Sequence, residues 1–414
     1  MRILLTSPLA RVRKLRWPRF RIGRVALIYL AIEFLDEFVF GAREAAWPQI
    51  RTDLGLSYAQ VGLVLSVPIF LANLIEPLLG ILGDIWRRKF LVIGGGLAFA
   101  ASLVALSVAG SFEVLLVATM ALAPASGAFV SLSQASLMDS APALRERNMV
   151  LWTFAGYVGA LAATAVIAGL LGTGLSWRLA FAASAGMTGI MLAFALRARF
   201  QYVIRDTPVV TKPIGHQFAT AVRDLFRAVR TRRMASKLFL LEISDLMLDV
   251  FLGFLALYMA DVAGASPTIA VASVALWIGA GTLGSVLSVP LLARTGGVTY
   301  LKASAALAVV LFVTFLLVPS LGVRLVLIAA LGLVKAGWYP VLQARVYDEV
   351  PERSGSVITM TNISGLFGSM MAAGIGLAAS SWGLANAMWL LLFAPASILL
   401  FLWRAHGARG SATP

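Results

Sequence analysis

Residues 134–142 read QASLMDSAP, and residues 343–351 read QARVYDEVP. Both stretches follow the pattern Gln-Ala-x-x-x-Asp-x-x-Pro, and they lie 209 positions apart. A second motif, Glu-x-x-Asp, recurs with the same spacing, beginning once at Glu33 and once at Glu242. Because two separate motifs share one spacing, the chain is predicted to consist of two related halves of the same orientation.

The composition of the chain indicates a membrane protein. Of its 414 residues 60% are hydrophobic and only 13% are charged, about half the charged fraction of ordinary soluble domains. Charge-free stretches such as Ala303–Val318 and Leu384–Leu402 could not lie on a soluble surface. A transmembrane helix needs about 20 mostly apolar residues, so the chain has room for about a dozen spans.

The basic residues indicate membrane topology rather than nucleic-acid binding, although the net charge is +15. They cluster in short runs between apolar stretches. With the N-terminus inside, 29 of the 34 Lys and Arg fall on the cytoplasmic side, and Arg51, Arg178 and Arg324 fall outside. This bias predicts a multi-pass protein of the cytoplasmic membrane with both termini in the cytoplasm.

Pro, Gly and charge clusters divide the apolar sequence into twelve predicted spans, an even number that agrees with two cytoplasmic termini. The predicted spans are 25–47, 58–82, 90–110, 113–138, 148–171, 179–196, 238–260, 268–293, 303–322, 325–344, 356–380 and 384–403.

The spans group into two bundles of six helices, joined and flanked by polar segments. The first 24 residues carry eight Lys and Arg and are predicted to bind anionic membrane lipid. His216–Arg233 has apolar residues at helical spacing among arginines and is predicted to form an amphipathic helix. The predicted segments are a basic tail 1–24, a bundle 25–196, a cytoplasmic linker 197–237, a bundle 238–403 and a tail 404–414.

The connection after the second span carries a recognisable motif, GILGDIWRRK at residues 80–89. It resembles the loop signature of the major facilitator superfamily, G-x-x-x-D-[RK]-x-G-[RK]-[RK], at Gly80, Asp84, Arg88 and Lys89, and departs from it at two other positions. The resemblance implies two pseudo-symmetric six-helix bundles, with spans 1, 4, 7 and 10 around a central cavity. It also implies that the matching residues brace a cytoplasmic gate.

Seven carboxylates fall inside the first and seventh spans, and six of them, all except Glu44, are candidate site residues. A charged residue at mid-membrane costs about 2.5–3.5 kcal/mol, so such groups are expected to face a wet cavity. At about 100° per residue, the acids of each span share one helix face. Crowded carboxylates cannot all be ionised in a low dielectric, so they could exchange a proton for a cation. The alternative is a structural role. The six are Glu33, Asp36, Glu37, Glu242, Asp245 and Asp249.

Other charged residues complete the candidate sites. Lys335, inside the tenth span, is either a fixed counter-ion of a carboxylate in the seventh span or a substrate contact, and Arg43 joins the same set. The repeated acids Asp139 and Asp348 are expected to brace the cytoplasmic gate. Asp261, off the acidic face, is expected to be solvated.

Several other functions are excluded or unsupported. The chain has no cysteine, its two histidines lie outside the spans, and it has no phosphate-binding loop, so no cofactor, no resident metal and no enzyme activity are predicted. The leading hypothesis is a monomeric proton-coupled antiporter that exports a cationic or amphipathic small molecule. One alternative is transport of divalent cations or polyamines. Another is a receptor or lipid scramblase on the same scaffold.

Overall fold

The computed structural model of the chain describes residues 23–85, 88–140, 144–197, 231–348 and 363–410, with the isolated positions 223 and 361. Within these ranges the regular structure is helical, without strands. The described residues contain no part of the first 22 positions, and of the predicted linker 197–237 they contain only 197, 223 and 231–237. The amphipathic helix predicted at 216–233 lies outside them, apart from positions 223 and 231–233.

Six helices form the N-terminal half. One of them, α4, contains a wider π-helical turn at Gly127–Ser131, so its regular parts are Phe112–Ser126 and Leu132–Ser140. The six are α1 (Arg24–Leu54), α2 (Tyr58–Ile85), α3 (Arg88–Ser107), α4 (Phe112–Ser140), α5 (Arg145–Gly172) and α6 (Arg178–Arg197).

Six helices also form the C-terminal half. Here α7 contains two π-helical turns, Leu246–Val250 and Tyr258–Val262. In α10, the segments Leu321–Lys335 and Trp338–Tyr347 are separated by a turn. The six are α7 (Arg232–Asp245 continued through Val262), α8 (Pro267–Thr295), α9 (Gly297–Leu317), α10 (Leu321–Lys335 continued through Tyr347), α11 (Ile363–Trp382) and α12 (Leu384–Ala387 continued through Gly410).

The lengths and compositions of these helices confirm the predicted all-helical membrane architecture. Ten helices in the described part of the chain are long and apolar enough to cross a membrane. The two that do not belong to this set, α1 and α7, are the helices that carry the Glu-x-x-Asp repeats. The apolar composition of ten helices is thus explained by a position in the membrane, whereas the charged residues of α1 and α7 need another explanation.

The two halves repeat each other helix by helix. Helices α2, α3 and α4 begin 209 positions before α8, α9 and α10, the spacing that separates the sequence motifs. One helix interruption also repeats, because the π-helical turn of α4 begins 209 positions before the turn of α10, whereas the π-helical turns of α7 have no counterpart in α1. A residue in one half can thus be compared directly with its equivalent in the other.

The halves meet closely between α2 and α11. A side chain at Gly62 would place its Cβ 2.6 Å from the carbonyl oxygen of Ala372. One turn further along α2, the Ser66 hydroxyl accepts a hydrogen bond from the Ala373 amide at 2.7 Å. We call this end of the bundle, which also holds the connections 55–57 and 263–266, the distal end. Only small residues allow the backbones of α2 and α11 to approach so closely.

Aromatic side chains fill the interior of the C-terminal half. The ring of Phe251 on α7 packs edge-on against Trp277 of α8 at 4.8 Å, and against Phe312 and Phe315 of α9 at 5.4 and 5.7 Å. All four side chains are buried. Edge-to-face packing of this kind fixes α7 against its neighbours and leaves little free space beside it.

Candidate functional site

Asp36 on α1 points into the interior of the N-terminal half. Its carboxylate accepts a hydrogen bond from the Ser126 hydroxyl of α4 at 2.8 Å. Ser126 is the last regular residue before the π-helical turn of α4. A hydroxyl is a neutral donor, so this bond orients the Asp36 carboxylate without cancelling its charge.

A cavity of about 180 Å³ opens beside Asp36, between α1, α2, α4 and the start of α6. Its lining is mainly apolar, and the polar groups of Asp36 and Ser126 lie together on one side. Ile69, which lines the cavity, is 42% exposed and lies one turn from the Ser66 contact with α11, so the mouth lies near the boundary between the halves. Four aromatic rings belong to the wall: Phe40, Trp47, Trp177 and Phe181.

The other charged residue of the cavity wall, Arg43, already has a partner. Its guanidinium donates two hydrogen bonds to Glu44, at 2.9 and 2.7 Å, and Glu44 also accepts one from the Trp47 indole at 3.2 Å. Glu44 is fully buried, and a buried carboxylate is stable when paired and hydrogen-bonded in this way. Arg43 and Glu44 therefore form an internal pair. The negative charge beside the cavity comes from Asp36 and from Glu76 of α2, which interacts electrostatically with Asp36 and lies against Gly127, the residue after Ser126.

The remaining acids of α1 face away from this cavity. Glu33 packs against α5, where a Cβ at Gly156 would lie 2.8 Å from its carboxylate oxygen. Glu37 lies beside Glu33 and interacts electrostatically with Asp249 of α7 across the boundary between the halves. The acidic face predicted for the first span is therefore divided: Asp36 lines the cavity, whereas Glu33 and Glu37 lie against Gly156 of α5.

The acids of α7 have different surroundings. Glu242 packs against Gly368 of α11, the counterpart of the contact between Glu33 and α5. Asp245 and Asp249 lie within electrostatic range of Lys335 on α10. The Lys335 ammonium sits over the ring of buried Trp277, 4.6 Å from its centroid. Of the two roles predicted for Lys335, this position is compatible with the counter-ion, but no carboxylate in the described part of the chain forms an ion pair with it.

The acidic residues of the described ranges do not form a cluster that resembles a metal-binding site. Within the described ranges, no three Asp, Glu, His or Cys residues lie close enough together to hold a metal ion. Hard cations such as Mg²⁺ and Ca²⁺ need several oxygen ligands at once. Between α1 and α7, Glu37 and Glu44 both interact electrostatically with Asp249.

The predicted gate residues lie at the end opposite the distal end. Arg88 at the start of α3 forms an ion pair with Asp139 at the end of α4, at 3.0 Å, and Lys89 donates to the Leu196 carbonyl at 3.0 Å. Gly80 and Asp84 lie on α2, but their side chains are outside the described set. Asp348 is exposed at the end of α10.

The distal end holds an ion pair that the sequence did not predict. Asp261 was expected to be solvated, but its carboxylate accepts hydrogen bonds from Arg51 at 3.0 Å and from the Tyr58 hydroxyl at 2.8 Å. Arg51 also stacks over the Tyr58 ring at 4.2 Å. We call these three residues the distal clasp. It joins the ends of α1 and α7, and no sequence pattern relates residues so far apart.

Comparison with known proteins identifies the family to which the chain belongs. The family model described as Major Facilitator Superfamily matches residues 28–373, most of the chain. The chain belongs to the major facilitator superfamily. As a member of this superfamily it is a membrane transporter and not an enzyme, as the sequence predicted.

Solved transporter structures share the fold of this superfamily member at low sequence identity. A bacterial homologue of the human lysosomal transporter Spinster, in an inward-facing and occupied conformation, is 16% identical, with a TM-score of 0.74 over 92% of this chain and 96% of that one. The nucleoside transporter NupG is 17% identical, with a TM-score of 0.72 over 92% and 98%. The peptide transporter POT, in complex with sulfate, is 14% identical, with a TM-score of 0.69 over 93% and 96%.

Proposed function

We propose that this transporter is a proton-coupled antiporter of the cytoplasmic membrane that exports a small organic cation or a cationic amphiphile by alternating access. The observation that supports the proposal is the Asp36 cavity, an aromatic chamber with the Asp36 carboxylate on its wall. With both termini in the cytoplasm, the distal end faces outside. The close contact of α2 and α11 then corresponds to a state closed to the outside.

The walls of the Asp36 cavity favour a cation over an anion or a neutral solute. Aromatic faces attract cations through the ring quadrupole, and four rings line this space. Because Glu44 neutralises Arg43, an anionic ligand would meet the negative charges of Asp36 and Glu76. A cavity of roughly 150 Å³ holds a benzene-sized group. The 180 Å³ beside Asp36 thus suits an ammonium headgroup, while the rest of the ligand extends toward the mouth.

Coupling follows from competition at the carboxylate. A protonated Asp36 has no charge to attract a cation, and an Asp36 that is paired with a cation binds a proton less readily. If one face of the membrane supplies protons, the exchange at that face releases the cation there.

Binding can be measured directly, because Trp47 and Trp177 line the cavity and report on its contents by fluorescence. We expect a quaternary ammonium amphiphile to change this fluorescence, with an affinity that falls as the pH is lowered. In proteoliposomes, an inward-directed proton gradient should drive its movement in the opposite direction.

Three outcomes would contradict the proposal. Binding that does not change with pH would indicate a facilitator without direct competition. Binding without any flux would indicate a receptor. Flux of lipid rather than of the amphiphile would indicate a scramblase.

A further inference from the structure

The two halves differ at the position that faces their repeated Asp. Ser126, the hydrogen-bond donor to Asp36, is replaced 209 positions later by Lys335. Pro68 of α2, which lines the Asp36 cavity, is replaced at the same spacing by Trp277 of α8. The N-terminal half therefore has a neutral donor beside an open space, where the C-terminal half has a cation on an aromatic ring.

Two glycines, Gly281 and Gly332, make room for the Lys335 side chain between α8 and α10. Gly281 of α8 has no side chain, and a Cβ there would lie 3.6 Å from Cε and 3.8 Å from Nζ of Lys335. Gly332, one turn earlier on α10, packs against the Trp277 carbonyl, where a Cβ would lie 2.9 Å from the oxygen. The two glycines bring α8 and α10 together, so the Lys335 side chain lies along α8 with its ammonium over Trp277.

The ammonium of Lys335 lies in the kind of surroundings that bind a ligand cation. An aromatic face holds it, and Asp245 and Asp249 attract it. Among the described residues the Lys335 ammonium makes no hydrogen bond and no ion pair within 4.0 Å. Its position therefore depends on the Trp277 ring and on the electrostatic attraction of Asp245 and Asp249. In the N-terminal half, the corresponding space beside Asp36 is free.

We propose that Lys335 is a built-in cation that occupies, in the C-terminal half, the place that the substrate's cationic group takes beside Asp36. This inference rests on the proposed function and adds a rule of specificity. The C-terminal carboxylates are partly neutralised from within, so the transporter has one external cation site. It therefore selects singly charged substrates and discriminates against dications.

A matched pair of ligands tests this rule. Decyltrimethylammonium carries one quaternary ammonium group, and decamethonium carries a second one at the far end of the same ten-carbon chain. In the parent we expect tighter binding of the singly charged ligand, measured by Trp fluorescence. Lys335→Ser gives the C-terminal half the residue of the N-terminal half. It should raise the affinity for decamethonium, relative to decyltrimethylammonium, by about tenfold, because one charge is added to the site.

Two further variants control for the removal of the Lys335 side chain. Lys335→Met fills the same space without charge and should show the same gain. Lys335→Arg keeps the charge and should keep the parent's preference. Should Lys335→Ser fail to fold, Lys335→Met provides the measurement. The reciprocal change, Ser126→Lys, places a cation beside Asp36 and should weaken binding of both ligands by at least about tenfold.

The outcomes separate this inference from the proposed function. If the parent binds neither ligand, the proposal of a cation site beside Asp36 is wrong, and so is the preference for singly charged substrates that depends on it. If the parent binds decyltrimethylammonium but Lys335→Ser and Lys335→Met leave the ratio of affinities unchanged, only the role of Lys335 is overturned. An equal loss of both ligands in Lys335→Met would likewise overturn it, because that result indicates a structural role.

Discussion

The two acidic helices, α1 and α7, derive from one repeated pattern but have different surroundings. Asp36 on α1 has a hydroxyl partner and an open aromatic cavity beside it. Asp245 on α7 lies near Lys335, in a half whose interior is filled by rings such as Phe251. The backbone differs after the repeated Asp, because a π-helical turn follows Asp245 whereas α1 continues as a regular helix after Asp36, and the side chains that determine the chemistry have diverged as well. Repeated carboxylates therefore need not have the same function.

The largest expected effect comes from neutralising the two repeated Asp residues one at a time. Asp36→Asn should lose both cation binding and proton-driven flux, because the charge of the cavity is removed. Asp245→Asn should lose proton-driven flux but keep cation binding at Asp36. We expect flux to fall by at least about 100-fold in both, equivalent to about 2.7 kcal/mol. Binding by Trp fluorescence and flux in proteoliposomes measure the two effects separately.

A matched control is Glu113→Gln, which removes an exposed carboxylate at the start of α4, away from the cavity. Its flux should equal that of the parent. Full flux in both Asp variants would show that the repeated motif is a relic of duplication without function. Loss of binding in Asp245→Asn as well would show that the two halves form one shared cation site.

The second expected effect concerns the closest approach of the halves. Gly62→Val gives α2 the residue that its equivalent, Val271, has in α8. A side chain at position 62 cannot fit against Ala372, so closure at the distal end should fail. Transport should fall by about tenfold or more, while cation binding at Asp36 remains. Gly94→Val is the control, since a Cβ at this exposed glycine meets nothing within 4 Å. Equal activity in the two variants would contradict the closing role of Gly62.

A smaller effect is expected from the distal clasp. Asp261→Asn removes the ion pair with Arg51, and partly exposed pairs contribute about 0.2–1 kcal/mol. The distal end should therefore open more often, by a few fold. Because the chain has no native cysteine, an added Ile50→Cys in the cavity wall provides one thiol for a membrane-impermeant label. Labelling from the distal side should become a few fold faster in Asp261→Asn. An unchanged rate would assign the clasp to stability alone.

The smallest effect is expected at the opposite end. Arg88 pairs with Asp139 in the N-terminal half, but the equivalent of Arg88 in the C-terminal half is Gly297, so Asp348 has no basic residue at that position. Arg88→Gln should change the transport rate by about two- to threefold, as expected for a partly exposed pair, and leave binding at Asp36 unchanged. Arg88→Lys should preserve the rate. A large loss of affinity in Arg88→Gln would place this residue in the binding site rather than in a gate.

The sequence was sufficient to predict the helical membrane fold and the division into halves, because hydropathy and the spacing of motifs are properties of the chain itself. It could not separate Asp36 from Glu37, since adjacent residues differ by about 100° in direction and only the packing of α1 decides which one faces the cavity. Nor could it pair Asp261 with Arg51. The replacement of Ser126 by Lys335 was detectable from the spacing alone, but its meaning required the cavity on one side and Trp277 on the other.

The interruption of α4 has a mechanical consequence. The π-helical turn Gly127–Ser131 directly follows Ser126. A π-helical turn holds one residue more than a regular helical turn, so it changes the rotation of the rest of α4 by about 100°. Deleting a single residue there would leave Ser126 beside Asp36 and turn the segment that begins at Gln134 to another face. The relative rotation of the two parts of α4 is thus fixed by a single residue.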